Sequence, residues 1–428
     1  MERSHDSGAK GRRPPARRAR ARVAAPLLGA LLLAAGAPAG ASPPWTERSR
    51  LLGDPAGARS RVERLGVTLQ IFSNHFGGWA VRGGAGRGDD GGHSASADLF
   101  AVADLEELAG WRGGTLLLHL KSQYDRSLNE RVGALADPFD DADFDEALYV
   151  DELWLQQGFA QGRLRVRVGF QEQQTVFDRN AFANSEDRQF MNAALDNDPL
   201  VPLPNGLAVD VIASPASWLE LAVGVADADN VPRRAGFDTA FDDIGSLGAW
   251  LELAARVRLP GGEEGLPGTW RLGVFRDGRA RAVPGDRDPR TGLPETRRGH
   301  YGAWLSVDQL VWREPGEAGR RLGLFLRAAL ADRDVNPFPV FGSLGLEAKG
   351  LVTGRPADTL GLGFYRLRPS SRARDATDAR AETGVEVYYA LAPWPWLVLT
   401  PGVQAIFEPG GAAEPTVLLA ALRVRVSW

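Results

Sequence analysis

A chain of 428 residues with a net charge of −4 and no cysteine excludes a disulfide framework, thiol catalysis and cysteine-held metal, and gives no support to nucleic-acid binding. Such a length would ordinarily divide into two or three soluble domains, but no linker or long charge run separates parts of the mature region. After the first forty residues no apolar run approaches the roughly eighteen needed for a membrane helix. The mean hydropathy of −0.22 suits a membrane barrel, in which half of each strand meets lipid.

Residues 1–41 read as an export signal. Arg12, Arg13, Arg17, Arg18, Arg20 and Arg22 make a basic start, Ala24 to Leu33 an apolar stretch, and Ala39-Gly40-Ala41 a small-residue cleavage site. Residues 42–64 follow as a periplasmic or plug-like segment, and 65–428 as a single barrel domain.

Alternating segments bounded by Gly, Pro, Asn or Asp predict sixteen strands, near 65–72, 97–108, 115–124, 147–158, 162–171, 206–213, 217–226, 245–259, 268–276, 300–313, 320–332, 342–352, 357–366, 380–391, 396–407 and 416–428. Their connections alternate in length. Long ones at 73–96, 125–146, 172–205, 227–244, 277–299 and 367–379 are separated by short ones such as Gly110 to Gly114, Gly158 to Gln161 and Pro393 to Pro395. A soluble sandwich has no reason to keep that rhythm, whereas an outer-membrane barrel has short periplasmic turns and long outer loops. Trp111, Trp218, Trp270, Trp312, Trp394, Trp396 and Trp428 all fall near short turns or the C-terminus, where amphipathic rings would form an interfacial belt.

The last segment carries the same logic. Leu418, Ala420, Leu422, Val424, Val426 and Trp428 form one row, and Leu419, Ala421, Arg423, Arg425 and Ser427 the other. A chain ending on such a strand suits closure against the first one, which leaves no open edge. The fold expected is all-β: an antiparallel transmembrane barrel.

If the apolar rows face lipid, the charged rows line the lumen, because a midplane Arg in lipid would cost ~2–4 kcal/mol. Arg163, Arg165 and Arg167 are sent inward against Leu164, Val166 and Val168. The same rule places His119, Lys121, Gln123, Glu252, Arg256, Arg258, Arg271, Arg327, Glu347, Lys349, Glu386, Arg423 and Arg425 inside. Around Tyr149 to Gln156 the two faces cannot be told apart. Trp250, Phe275, Phe325 and Tyr388 are available to cover the apolar face of a sugar, and Arg and carboxylate groups to meet its hydroxyls. The loop 172–205 holds aromatics, amides and both charges, among them Arg179, Asn184, Glu186 and Arg188. Such a loop is expected to fold into the barrel and narrow it.

Other constellations carry less. Asp141, Asp143, Asp145 and Glu152 match positions 1, 3, 5 and 12 of a calcium loop, but Glu146 stands where that loop requires Gly, and a strand follows rather than a helix. This leaves only incidental calcium binding by an acidic outer loop. Gly84-Ala85-Gly86-Arg87-Gly88 lacks the strand-to-helix setting of a dinucleotide site. No serine motif or histidine pair points to catalysis, so no enzyme activity, catalytic residue or cofactor is expected.

The run Glu382-Thr383-Gly384-Val385-Glu386-Val387-Tyr388-Tyr389, then Pro393-Trp394-Pro395-Trp396-Leu397, Thr400-Pro401-Gly402-Val403-Gln404 and Pro409-Gly410-Gly411, resembles the closing pattern of the carbohydrate-selective porins (OprB type) of Gram-negative outer membranes. The resemblance covers the mature chain from about Leu51. Leu52-Gly53-Asp54 with Arg59, Leu65 and Gly66 is similar to that family's opening, Gly110 to Gly114 to its first hairpin turn, and Pro204-Asn205-Gly206 also fits. The opening departs from the family's Gly-Asp-Trp-Gly-Gly, reading Gly53-Asp54-Pro55-Ala56-Gly57. The resemblance implies a sixteen-stranded barrel admitting sugars by diffusion through an eyelet shaped by inward-folded loops.

The expectation is therefore an outer-membrane porin for small carbohydrates, with Arg163, Arg165, Arg167, Arg256, Arg327 and Glu386 as lumen contacts and Arg179, Asn184, Glu186 and Arg188 on the constricting loop. A general or anion-preferring porin and a nonconducting structural or adhesive barrel stand as alternatives. Partners are small carbohydrates, outer-membrane lipids and the barrel-assembly machinery, which would meet the strand ending at Trp428. Monomer and homotrimer both stay open.

Overall fold

The computed structural model describes residues 43–84, 91–126, 128–142, 145–229, 244–262, 264–315 and 319–428. The export segment assigned to 1–41, most of the connection 227–244, and Asp143 of the calcium-loop spacing lie outside the described residues.

Sixteen antiparallel strands close on themselves, each bonded to its sequence neighbours and the last to the first. They are β1 (Val67–Arg82), β2 (Gly91–Asp104), β3 (Gly114–Arg126), β4 (Glu146–Phe159), β5 (Leu164–Glu172), β6 (Asn205–Ala216), β7 (Leu219–Asp227), β8 (Leu247–Leu259), β9 (Leu266–Arg287), β10 (Pro294–Arg313), β11 (Arg321–Ala331), β12 (Val340–Lys349), β13 (Thr359–Arg368), β14 (Glu382–Trp394), β15 (Leu397–Phe407) and β16 (Val417–Ser427). Closure runs from Phe72 opposite Ser427 to Ala80 opposite Leu419, so neither terminal strand keeps an open edge. Both ends of the barrel chain lie on the short-turn side.

The two faces separate as period-2 alternation requires. Val168, Val209, Val223, Leu251, Leu272 and Val274 are exposed outward, while Arg167, Asp210, Glu252 and Arg271 between them are buried inward. On β16, Leu418 and Leu422 face out and Arg423 and Arg425 face in. Trp111, Trp218, Trp270 and Trp312 stand exposed at the short-turn end, as a belt requires. Trp396 is instead covered: its indole donates to Trp45 O at 2.9 Å, and Trp45 packs on Trp394 and Trp396. Trp428 also turns to a partner, its Nε1 donating to Ser73 Oγ at 3.1 Å.

Two expected loops are largely strand. The segment 73–96 continues β1 to Arg82 and starts β2 at Gly91, and 277–299 extends β9 and β10 into a long hairpin. Glycines hid the first and alternating charges the second, because neither shows an apolar period. In the first, the ladder is shared with β16, whereas the second pairs β9 with β10 alone, beyond the reach of β8 and β11.

β4 explains its own ambiguity. Its pairing with β3 slips between His119 and Leu120, which face Glu152 and Val150, leaving Asp151 as an extra residue. This bulge turns Asp151 and Glu152 both inward, 5 % and 3 % exposed, so strict alternation fails there.

Candidate functional site

The barrel interior is filled by two loops. The connection from β5 to β6 folds in, and its apolar residues Phe177, Phe182, Phe190, Met191 and Leu195 are all buried. Against them stand Trp250, Phe275, Phe325 and Tyr388: Phe190 meets Phe325 at 5.3 Å and Tyr388 at 5.1 Å, and Phe177 meets Trp250 at 6.1 Å. The inward aromatics proposed as sugar platforms are thus the seat of the loop. The wall makes room by omitting side chains: a Cβ on Gly363 would sit 2.8 Å from both Phe190 and Leu195.

The connection from β3 to β4 folds in as well. Leu128 and Phe139 are 2 % and 3 % exposed, Phe139 packs on Phe76 at 5.4 Å, and a Cβ at Gly78 would meet Phe139 at 2.6 Å. The loop is bonded to the wall and to its neighbour. Leu135 N donates to Glu382 Oε2 at 2.7 Å, Gln404 Nε2 to Pro138 O at 2.9 Å, and Asp140 N to Met191 O at 3.0 Å. Its acidic residues dominate the composition, while the signal for insertion is the apolar set Leu128, Val132, Ala136 and Phe139.

Polar clamps fasten the main loop. Glu386, fully buried, accepts from Met191 N and Asn192 N, both at 2.9 Å. Arg327, 1 % exposed, bonds Asp178 through Nε at 2.9 Å and through Nη2 to its carbonyl at 3.1 Å. Arg167 donates to Thr175 Oγ1 at 2.8 Å and lies over the Trp154 ring at 4.3 Å, holding the start of the loop. These three side chains point inward, as their rows require, but the loop covers them. Arg163 is exposed in the turn preceding β5, at the short-turn mouth.

Two spaces stand open among the described residues of the interior. One, of about 760 Å³, lies between the main loop and the wall of β16 and β1 to β4. The loop lines it with Arg179, Asn184, Glu186, Arg188 and Asp196, and the wall with Asn74, Asp98, His119, Lys121 and Arg425. His119 is held by Asp98 at 2.9 Å and Asp151 at 3.0 Å, and stacks on Phe100 at 3.7 Å. The other space, of about 690 Å³, opens toward the short-turn end beneath Phe182 and is bordered by Arg256, Arg258, Arg313 and Arg321.

Between the two sits a charge knot. Glu220, 5 % exposed, receives Arg165 at 2.9 Å, Arg179 at 2.6 Å and Arg256 at 3.4 Å. One carboxylate against three partly exposed guanidiniums leaves positive charge in excess. Sequence reasoning named the three arginines but not Glu220, although the row Glu220, Ala222, Gly224 and Ala226 opposite exposed Val223 and Val225 marks it as inward. Asp178 had no such signal, since only the folded loop brings it to Arg327.

Comparison with known proteins agrees with this architecture. Residues 90–428 match the family model described as carbohydrate-selective porin, OprB family. Porin B of Pseudomonas aeruginosa is 26% identical over 93% of this chain and 95% of its own, and the putative porin QuiX of Acinetobacter baylyi is 22% identical over 86% and 91%. The high-pH structure of Pseudomonas putida OprB superposes with a TM-score of 0.79 at 21% identity, covering 91% of this chain and all of that one, a likeness of fold. With most of its length matched by the family model, the chain belongs to the OprB family of carbohydrate-selective porins.

Proposed function

We propose that this outer-membrane porin passes small carbohydrates down their gradient with a preference for sugars, through the space left between the inserted loop and the wall of β16 and β1 to β4. The observation that carries the reading is the lining of that space. Guanidinium, amide, ammonium and carboxylate groups from Arg179, Asn184, Arg188, Lys121 and Glu186 stand around one passage of about 760 Å³, offering donors and acceptors in pairs to a polyhydroxylated solute. On this reading the barrel acts by admission alone.

Of the ten candidate contacts, Arg179, Asn184, Glu186 and Arg188 border this passage, and Arg165 and Arg256 join its exit through Glu220. Arg167, Arg327 and Glu386 serve the channel by holding the loop. Liposome swelling with purified protein tests the reading, comparing glucose, a trisaccharide and size-matched amino acids or anions. Faster entry of glucose than of its size-matched competitors supports sugar preference. Entry ordered by size alone reduces the protein to a general porin, and no swelling reduces it to a nonconducting barrel.

A second reading, a preference for anions, is favoured by the excess of Arg165, Arg179 and Arg256 over Glu220. A reversal potential measured across a salt gradient separates the two readings.

A further inference from the structure

We propose that Asp140, Glu186 and Asp196 form a calcium site that ties the two inserted loops together at the constriction. Each offers a carboxylate oxygen, and the three oxygens lie within 4.8 Å of one another. Oxygens bound at about 2.4 Å on opposite sides of one calcium ion are about that far apart. Asp140 comes from the β3–β4 loop, and Glu186 and Asp196 from the β5–β6 loop.

The donor set points to a ligand beyond the acidic cluster itself. Asp196 is 2 % exposed, yet its Oδ1 has no hydrogen-bond partner. Next to it, the Asn197 amide donates through Nδ2 to Asp140 Oδ2 at 2.6 Å, while its own Oδ1 is buried and unpaired. Buried oxygens left without donors are costly unless a cation or an ordered water meets them.

Among the described residues around the site, Lys121 lies 3.0 Å from Asp141 and 3.4 Å from Glu186, an ammonium beside the carboxylates of Asp140, Asp141, Glu186 and Asp196. Arg423 spends its two Nη atoms on the carbonyls of Glu186 and Gln189, and Arg327 is paired with Asp178. All three proposed ligands and Asn197 line the open space of about 760 Å³, so an ion has an entry path.

Carboxylate and amide oxygens without imidazole or thiolate select a hard cation. An irregular set drawn from two loops suits calcium better than magnesium, which demands near-octahedral geometry and keeps its waters. A bound ion would neutralise the acidic side of the constriction and pin the loops to each other. None of this depends on whether the channel prefers sugars.

The test uses the purified full chain in detergent, stripped with a chelator. Terbium luminescence is titrated and then competed with calcium and with magnesium, for wild type, Asp140→Asn, Asp196→Asn and, outside the site, Glu414→Gln. Circular dichroism and heat-modifiable gel mobility establish that each barrel is folded. Expected are saturable calcium binding by wild type, at least tenfold weaker in both site variants, unchanged in Glu414→Gln, with calcium competing better than magnesium. Absence of saturable calcium binding in wild type, as when the carboxylates simply share protons, overturns the proposal. So does binding by Asp140→Asn as tight as wild type, and because Asp140 is only half-buried, that variant decides the matter if Asp196→Asn does not fold.

Discussion

At the scale of single residues, the interior of this barrel divides its arginines into two kinds. Arg327 is desolvated and spent on Asp178, whereas Arg165, Arg179 and Arg256 are partly wet and share one carboxylate. Removing one partner of a buried ion pair leaves the other charge uncompensated, a cost of about 3–5 kcal/mol. Arg327→Ala is therefore expected to lower the thermal midpoint and release the β5–β6 loop, raising single-channel conductance in planar bilayers. An unchanged conductance would show that the apolar seat alone holds the loop. Glu220→Gln should act oppositely in kind: it leaves three guanidiniums without their counter-charge, so the reversal potential shifts toward anions while the barrel stays folded. Period-2 reading identified the arginines because burial of a wall residue follows from its parity. It could not tell clamp from contact, since that depends on which stretch of loop lies over each one.

At the scale of elements, the inserted loops are packed as a small core with the wall as its shell. Wall glycines serve as sockets, and Gly363 sits 2.8 Å, measured from the Cβ it lacks, from Phe190 and Leu195. Gly363→Leu is expected to push that part of the loop off the wall. In liposome swelling the variant should admit a trisaccharide that wild type retards, and an unchanged size cutoff would mean that the loop repacks in place. The long-range bonds of the β3–β4 loop make it a second constricting element. Its acidity suggested a solvated outer loop, because charge dominates its composition while four apolar residues direct its placement. Likewise the bulge at Asp151 is a property of two strands in register, and a single strand read alone shows only blurred faces.

At the scale of the whole molecule, the segment before β1 meets the last strand. Leu51 N donates to Ser427 O at 2.8 Å, Arg59 Nη2 to Trp428 O at 3.1 Å, and Trp428 N to Ile71 O at 2.9 Å. The segment before β1 thus lies across the seam of the barrel, with Trp45 on Trp394 and Trp396. Asp54 organises that segment, accepting from Ser60 Oγ at 2.5 Å and from Arg59 N at 2.9 Å. The Ser60 hydroxyl chiefly, with the backbone donors of Arg59 and Ser60, holds the Asp54 carboxyl below its ordinary value against the opposing effect of burial. A folded value below the unfolded one means that the contribution is present above the ordinary carboxylate range and is lost as pH falls through the folded value. Trp45 fluorescence, followed as the only tryptophan altered between wild type and Trp45→Phe, should therefore report release of the segment in acid. Asp54→Asn should remove that transition, and its persistence would assign the acid release to another group.

What the sequence by itself determined is the barrel: sixteen alternating segments, the rhythm of short and long connections, the aromatic belt and the apolar last strand. All of these follow from a local rule, that successive strand residues face lipid and lumen in turn, and the closing motifs added the family. What only the tertiary structure decided is how the interior is filled. Which residues meet solute depends on where two loops lie inside the cylinder. Their seats are built from residues as far apart as Asp178 and Arg327, or Met191 and Glu386, and no local period records such a meeting.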